Sequence, residues 1–191
     1  KTALCQVLVT KYLARRTVYR ISPPPGGSVD PGALRLALEA EVKQRGKPAD
    51  LVAKAPDGAV FVFDDLEMWW ERSPNGMAVI EEFTGLLQDH GGRCLFVANL
   101  GIHAWRVLEH FVRLSESALA VVECEPLPAE TLKSIVALRH GSTGIDFDLA
   151  GTSEVDLAQW QQARLFTRYF DYSGGLVAGA LRAWIAHIDK V

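Results

Sequence analysis

The sequence predicts an α/β protein with a parallel-sheet core, followed by an all-helical segment. Three observations carry this. The run "VFVF" at 60–63 is apolar at every position, which suits a strand covered on both faces. A second such run, "CLFVAN" at 94–99, lies one helix and one turn further on. Amphipathic stretches of helix length alternate with these runs, the pattern of βαβ units with parallel pairing.

In chain order, "KTALCQVLVTKYLARR" opens with helical spacing, its apolar positions 4, 7, 8, 12 and 13 forming one face. A helix starting at residue 1 has no cap, and the expectation is a fragment cut from a longer protein. "TVYRI" is a short β-rich run, stopped by "SPPPGG", whose prolines exclude helix and central strand. Asp30 and Pro31 read as N-cap and first helical residue of a helix running to about Gln44 and ending at Gly46. "VAKAPDGA" is a turn into the strand 59–63. After the turn "SPNG", the amphipathic "MAVIEEFTGLLQDH" stops at Gly91 and Gly92. "CLFVAN" then ends on Asn99, "AWRVLEHFVRL" is a helix, and "ALAVVEC" at 118–124 is a further strand. Beyond Pro126 three helices follow: "LPAETLKSIVALRHG", a long one opened by a box-like Ser153 and Asp156 and closed by Gly174 and Gly175, and "LVAGALRAWIAHI". The expected division is 1–125 for the α/β core and 126–191 for the helical part.

Composition narrows the function classes. With 191 residues, 49% of them hydrophobic and 23% charged, the chain can bury a core, which excludes a disordered or fibrous polypeptide. A net charge of −3 supplies no overall attraction to nucleic acid or anionic membrane and leaves only a local basic patch open. No apolar run is long enough to span a membrane. Cys5, Cys94 and Cys124 are widely spaced in apolar runs and read as buried thiols of a reducing compartment, hence a cytoplasmic protein. The histidines show no metal-ligand spacing, and the tryptophans read as packing anchors, with a nucleobase stack open to one of them. At the carboxyl end of a buried parallel strand, where ligands bind in open α/β sheets, stand Asp64, Asp65 and Glu67. The same acids also suit a solvated loop and helix start.

Taken together, an amino-terminal "KT" opening a helix, an acid-tipped strand "VFVFDDLE" and a second strand tipped by Asn99 resemble a P-loop NTPase of the AAA+ type, or its signalling relatives of the STAND class, truncated inside the Walker A motif. The resemblance implies a nucleotide-binding core lacking its first strand, then a helical lid. It implies ATP and Mg²⁺ as cofactors, with Lys1 on the β and γ phosphates and the Thr2 hydroxyl as a metal ligand. Asp64 resembles the Walker B aspartate that holds Mg²⁺. Asp65 stands where these enzymes usually carry the glutamate that polarises water, and Glu67 is the rival for that role. Asn99 resembles the polar sensor on the neighbouring strand. Arg113 stands in the place of an arginine finger, with Arg106 two turns earlier, and a finger implies a homo-oligomer. "SGGLVAGALRAW" resembles the second sensor helix, but Leu176 and Ala178 occupy the places of its Asn and Arg, and Arg182 comes one turn later. The implied activity is Mg²⁺-dependent ATP hydrolysis coupled to movement of the lid or of a protein partner. The Asp64–Asp65 pair also suits a slow regulatory switch of the STAND type. A third reading is a DNA-associated initiator or loader.

Overall fold

The computed structural model describes residues 2–144, 148–149, 152–153 and 159–186. Three strands, β1 (Val18–Ile21), β2 (Val60–Phe63) and β3 (Leu95–Ala98), form a parallel sheet in that spatial order. Tyr19 is paired with Phe61 and Phe61 with Phe96. These three rings stack across the strands, with centroids 5.0 and 5.5 Å apart. All four β2 residues are buried, as the unbroken apolar run predicts for a central strand. β3 is an edge strand, and its apolar residues Leu95 to Val97 are only half-buried.

Helix α1 (Thr2–Val7) runs on into a π-helical turn, Leu8–Tyr12. The first crossover holds α2 (Pro31–Val42) and α3 (Pro48–Ala53). Asp30 caps α2 as its sequence predicts, its carboxylate accepting from the Gly32 N–H at 2.9 Å. After β2 comes a 3₁₀ turn, Leu66–Trp69, then α4 (Ala78–His90), β3, α5 (Ile102–Val112) and the short α6 (Leu114–Ser117). One face of the sheet and these helices share a core that includes Ile21, Leu34, Leu38, Leu51, Phe63 and Trp69. Helix α3, six residues long, is too short to hold itself. Arg93, just ahead of β3, grips its end: the guanidinium donates to the carbonyls of Val52 (2.6 Å), Ala53 (2.9 Å) and Ala55 (2.5 Å) and to Asp57 (3.1 Å).

The chain divides into two compact units, Lys1–Glu123 and Cys124–Val191. In the second, α7 (Ala129–Gly141), α8 (Gln159–Ser173) and α9 (Val177–Ala186) pack around Leu132, Val136, Leu165, Tyr169, Ala180 and Trp184. The Trp184 indole donates to Nδ1 of the buried His140 at 3.3 Å. The turn from α8 to α9 needs its glycines. Gly174 and Gly175 have φ of 56° and 83°, and a Cβ on Gly175 would stand 2.7 Å from the Leu127 carbonyl oxygen.

Several expectations are corrected. Residues 118–123 pair with no strand among the described residues and lie open to solvent, Leu119 being 99% exposed, because the sheet ends at β3 and leaves this segment no neighbour. The apolar stripe of α1 is not a buried face: Leu4, Val7 and Tyr12 are exposed, and Cys5 is the residue turned inward. Helix α2 stops at Lys43, in the left-handed conformation, ahead of the expected Gly46. The second unit is not wholly helical, since β4 (Asp148–Leu149) and β5 (Thr152–Ser153) form a two-stranded antiparallel pair. Ser153 therefore belongs to a strand and opens no helix. Asp156 lies outside the described residues.

Candidate functional site

The tip of β2 is built by its neighbours. In the parallel ladder, the Asp64 N–H donates to Ile21 O (3.1 Å) and the Asn99 N–H to Phe63 O (3.0 Å), so Asp64 and Asn99 leave the sheet side by side. The two side chains meet there: Asn99 Nδ2 donates to Asp64 Oδ1 at 2.6 Å. The amide oxygen of Asn99 accepts from the Asp65 N–H at 3.1 Å, and its main-chain oxygen accepts from the Leu66 N–H at 2.9 Å. Asn99 thereby clamps the turn after β2, where Asp65 takes a left-handed conformation, φ 48° and ψ 53°, which is strained for most L-residues and which Asp tolerates better than most. Asp64 and Asn99 are 8% and 7% exposed. A buried carboxylate at this depth survives only with partners.

Two neighbours of the Asp64–Asn99 pair, one beside each residue, were not legible as site residues. Arg20, the third residue of β1, brings its Nε to 3.9 Å from Asp64 Oδ2, and its buried Nε and Nη2 make no hydrogen bond. Strand parity was the available signal, since positions 20, 62 and 64 alternate onto one face. Cys5 of α1 receives a long contact from Asn99 Nδ2, 3.5 Å to Sγ, which sets α1 over the acid and amide. Thr2 lies less than a turn before Cys5 in the same helix, and Lys1 is outside the described residues.

The other expected site residues are dispersed. Glu67, half-buried in the 3₁₀ turn, points Oε1 at Gly101, to within 3.5 Å of where a Cβ there would stand, and so faces the N-cap of α5. Arg113 sits in a left-handed joint between α5 and α6 with its exposed guanidinium on Glu116 at 3.1 Å. An eleven-residue helix separates it from Gly101, about 16 Å. Arg106 on α5 and Arg182 on α9 are exposed, as are Leu176 and Ala178.

The chemistry available at Asp64 is that of one hard oxygen donor held in a fixed pose. That suits Mg²⁺, which is bound through one or two carboxylates and retains several waters. It does not suit a cation needing an all-protein cage, and no group of three or more His, Cys, Asp or Glu residues gathers among the described residues.

Fold and site together define an α/β protein with a parallel sheet and an acid–amide pair at the carboxyl ends of two adjacent strands. No family model matches the chain, and no curated protein matches it. Two solved structures are similar. The Aeropyrum pernix ORC2 protein, in its ADPNP–ADP complexes, is similar with a TM-score of 0.49 and 12% identity, over 97% of this chain and 57% of that one. A point mutant of Thermotoga maritima RuvB is similar with a TM-score of 0.35 and 14% identity, over 97% of this chain and 68% of that one. This chain thus spans little more than half the length of the first. No helix among the described residues is long and apolar enough to cross a membrane.

Proposed function

We propose that this chain is the nucleotide-handling part of an AAA+-like ATPase, with residues 1–125 as the core and 126–191 as the lid. The observation that carries the reading is the Asp64–Asn99 pair: a buried carboxylate and a polar sensor joined at 2.6 Å on adjacent parallel strands, with a helix laid over them. ATP is the substrate and Mg²⁺ the cofactor. Asp64 and Thr2 would hold the Mg²⁺, which when bound neutralises charge on the phosphates. Asn99 orients Asp64 and fixes the turn that presents Asp65. Asp65 and Glu67 are the candidates for polarising water, Lys1 for the phosphates, and Arg113 for a finger reaching a neighbouring copy in an oligomer. Cys5 and Cys94 are buried as expected, whereas Cys124 is exposed because it lies in the segment beyond the sheet; all three are free thiols, which fits a cytoplasmic setting.

The open edge of β3 supports a further element of this reading. Among the described residues, an apolar strand of central type stands unpaired at its outer edge, and the apolar segment 118–123 pairs with no strand. Both could accept a further parallel strand, as a larger nucleotide-binding sheet would require.

A slow regulatory switch is the second reading. Asp65 is one methylene shorter than glutamate, and the sensor arginine place holds Ala178. Asp64→Asn abolishes Mg²⁺-dependent ATP hydrolysis, because an amide is a poor ligand for a hard cation. Hydrolysis at the wild-type rate overturns the assignment. Asp65→Asn and Glu67→Gln then identify the water-polarising acid, and the multiple-turnover rate separates enzyme from switch.

A further inference from the structure

Helix α8 turns two very different faces to its surroundings. Its inner face supplies Leu165 and Tyr169 to the core of the second unit, with Phe166 and Phe170 packed alongside. Its outer face carries Trp160, Arg164, Arg168 and Tyr172, each four residues from the last and all exposed, the two aromatics at 64% and 73%. Four-residue steps keep side chains neighbouring on a helix surface, about 6 Å apart along the axis, so the stripe is about 18 Å long. Among the described residues, neither ring belongs to the core of this unit. Neither arginine is ion-paired among the described residues, although Asp171, the acid of this helix, stands on the same side.

We infer that this stripe is a docking surface for single-stranded nucleic acid. Two guanidiniums without an ion-pair partner among the described residues, set between two exposed rings, present positive charge flanked by flat stacking faces. Guanidinium forks match phosphate oxygens. Trp and Tyr faces accept unstacked bases whatever their sequence, and Arg adds its own stacking plane. An acidic peptide would use the arginines and leave the rings without a planar partner. A duplex keeps its bases stacked and gives the rings nothing to receive. The length fits roughly four nucleotides, the lower end of site sizes for non-specific single-strand binders. The inference is independent of the ATPase reading, since it uses no residue of the first unit.

The test is fluorescence anisotropy of the whole chain with a labelled oligothymidylate, titrated at several salt concentrations, alongside a duplex of equal length and polyglutamate as competitor. Binding to the single strand is expected, with a weaker duplex and no competition by polyglutamate at matched charge. Trp160→Ala and Tyr172→Ala each weaken binding roughly 5- to 150-fold through lost stacking. Arg164→Gln with Arg168→Gln lowers the steepness of log affinity against log salt by about 1.4, the loss of two phosphate contacts on a single strand. All four positions are solvent-exposed, and an unchanged far-UV spectrum and thermal midpoint show that the variants are folded. No single-strand binding at low salt, equal affinity for the duplex, equal competition by polyglutamate, or variants that bind as the wild type does would each overturn the inference.

Discussion

Replacing Asn99 by alanine removes three things at once: the donor to Asp64 Oδ1, the acceptor for the Asp65 N–H, and the contact to Cys5. The hydrogen bond to the carboxylate is charge-assisted and contributes about 1.5–3 kcal/mol, and the one from the Asp65 amide about 1 kcal/mol. Water can enter at the exposed end of the turn and recover part of this, so the expected loss is about 2–4 kcal/mol for the first unit. At an m-value of about 2 kcal/mol/M, that lowers the urea midpoint by about 1–2 M. The buried Trp69 lies in the core of this unit and gives a fluorescence signal for its unfolding. Asn99→Asp keeps the shape and sets a second carboxylate against Asp64. One of the two must then titrate upward, so the variant is weakest at neutral pH and recovers as the solution is acidified. A loss below about 0.5 kcal/mol for Asn99→Ala, or a neutral-pH stability of Asn99→Asp equal to the wild type, would refute the view that this amide holds the carboxylate.

Three further outcomes are expected. Arg93→Ala strips the end of α3 of its donor and costs about 2–4 kcal/mol after discounting the partly exposed guanidinium, while Arg93→Lys recovers only a fraction because an ammonium cannot fork across several carbonyls; equal midpoints for the two variants in urea unfolding would contradict this. Asp65→Gly relieves the left-handed backbone and raises stability by about 0.5–1 kcal/mol in the same assay, whereas a loss would show that the Asp65 side chain holds the turn. Burial pushes the Tyr169 phenol up to about 12. A folded value above the unfolded one gives stability that is complete below about pH 10 and lost as pH rises toward about 12, so Tyr169→Phe flattens the alkaline fall in the second unit's thermal midpoint; an unaltered profile would assign that fall to another group.

Local signals proved readable wherever one residue type meets one backbone demand. The cap at Asp30, the glycine stop at 174–175 and the all-apolar β2 are cases in which the chemistry of a few neighbours settles the conformation. The meeting of Asp64 and Asn99 has a related origin, each being the polar residue that ends an apolar strand run. The segment 118–124 shows the limit of such reasoning, since its apolar, β-branched residues have strand propensity but a strand exists only against another strand. The exposed stripe of α1 fails in the same way: amphipathic spacing announces a face without naming what covers it. Helix α3 escapes a reading that begins its turn at Val52, although Pro48 at its first position is a helix-start signal. Arg20 stayed hidden because its role depends on the alignment of β1 against β2, a relation between distant stretches.

That alignment has its own gauge. Tyr19, Phe61 and Phe96 stack in a row across the three strands, and a row of rings tolerates no sliding: if β3 slipped one residue along β2, Phe96 would leave the stack and face the opposite side. The same slip would carry the Asn99 amide about 3.3 Å along the strand and turn it away from Asp64. The distance between acid and amide is therefore metered by aromatic residues on the far face of the sheet. A substitution such as Phe96→Ala can disarm the site while leaving every polar residue in it untouched.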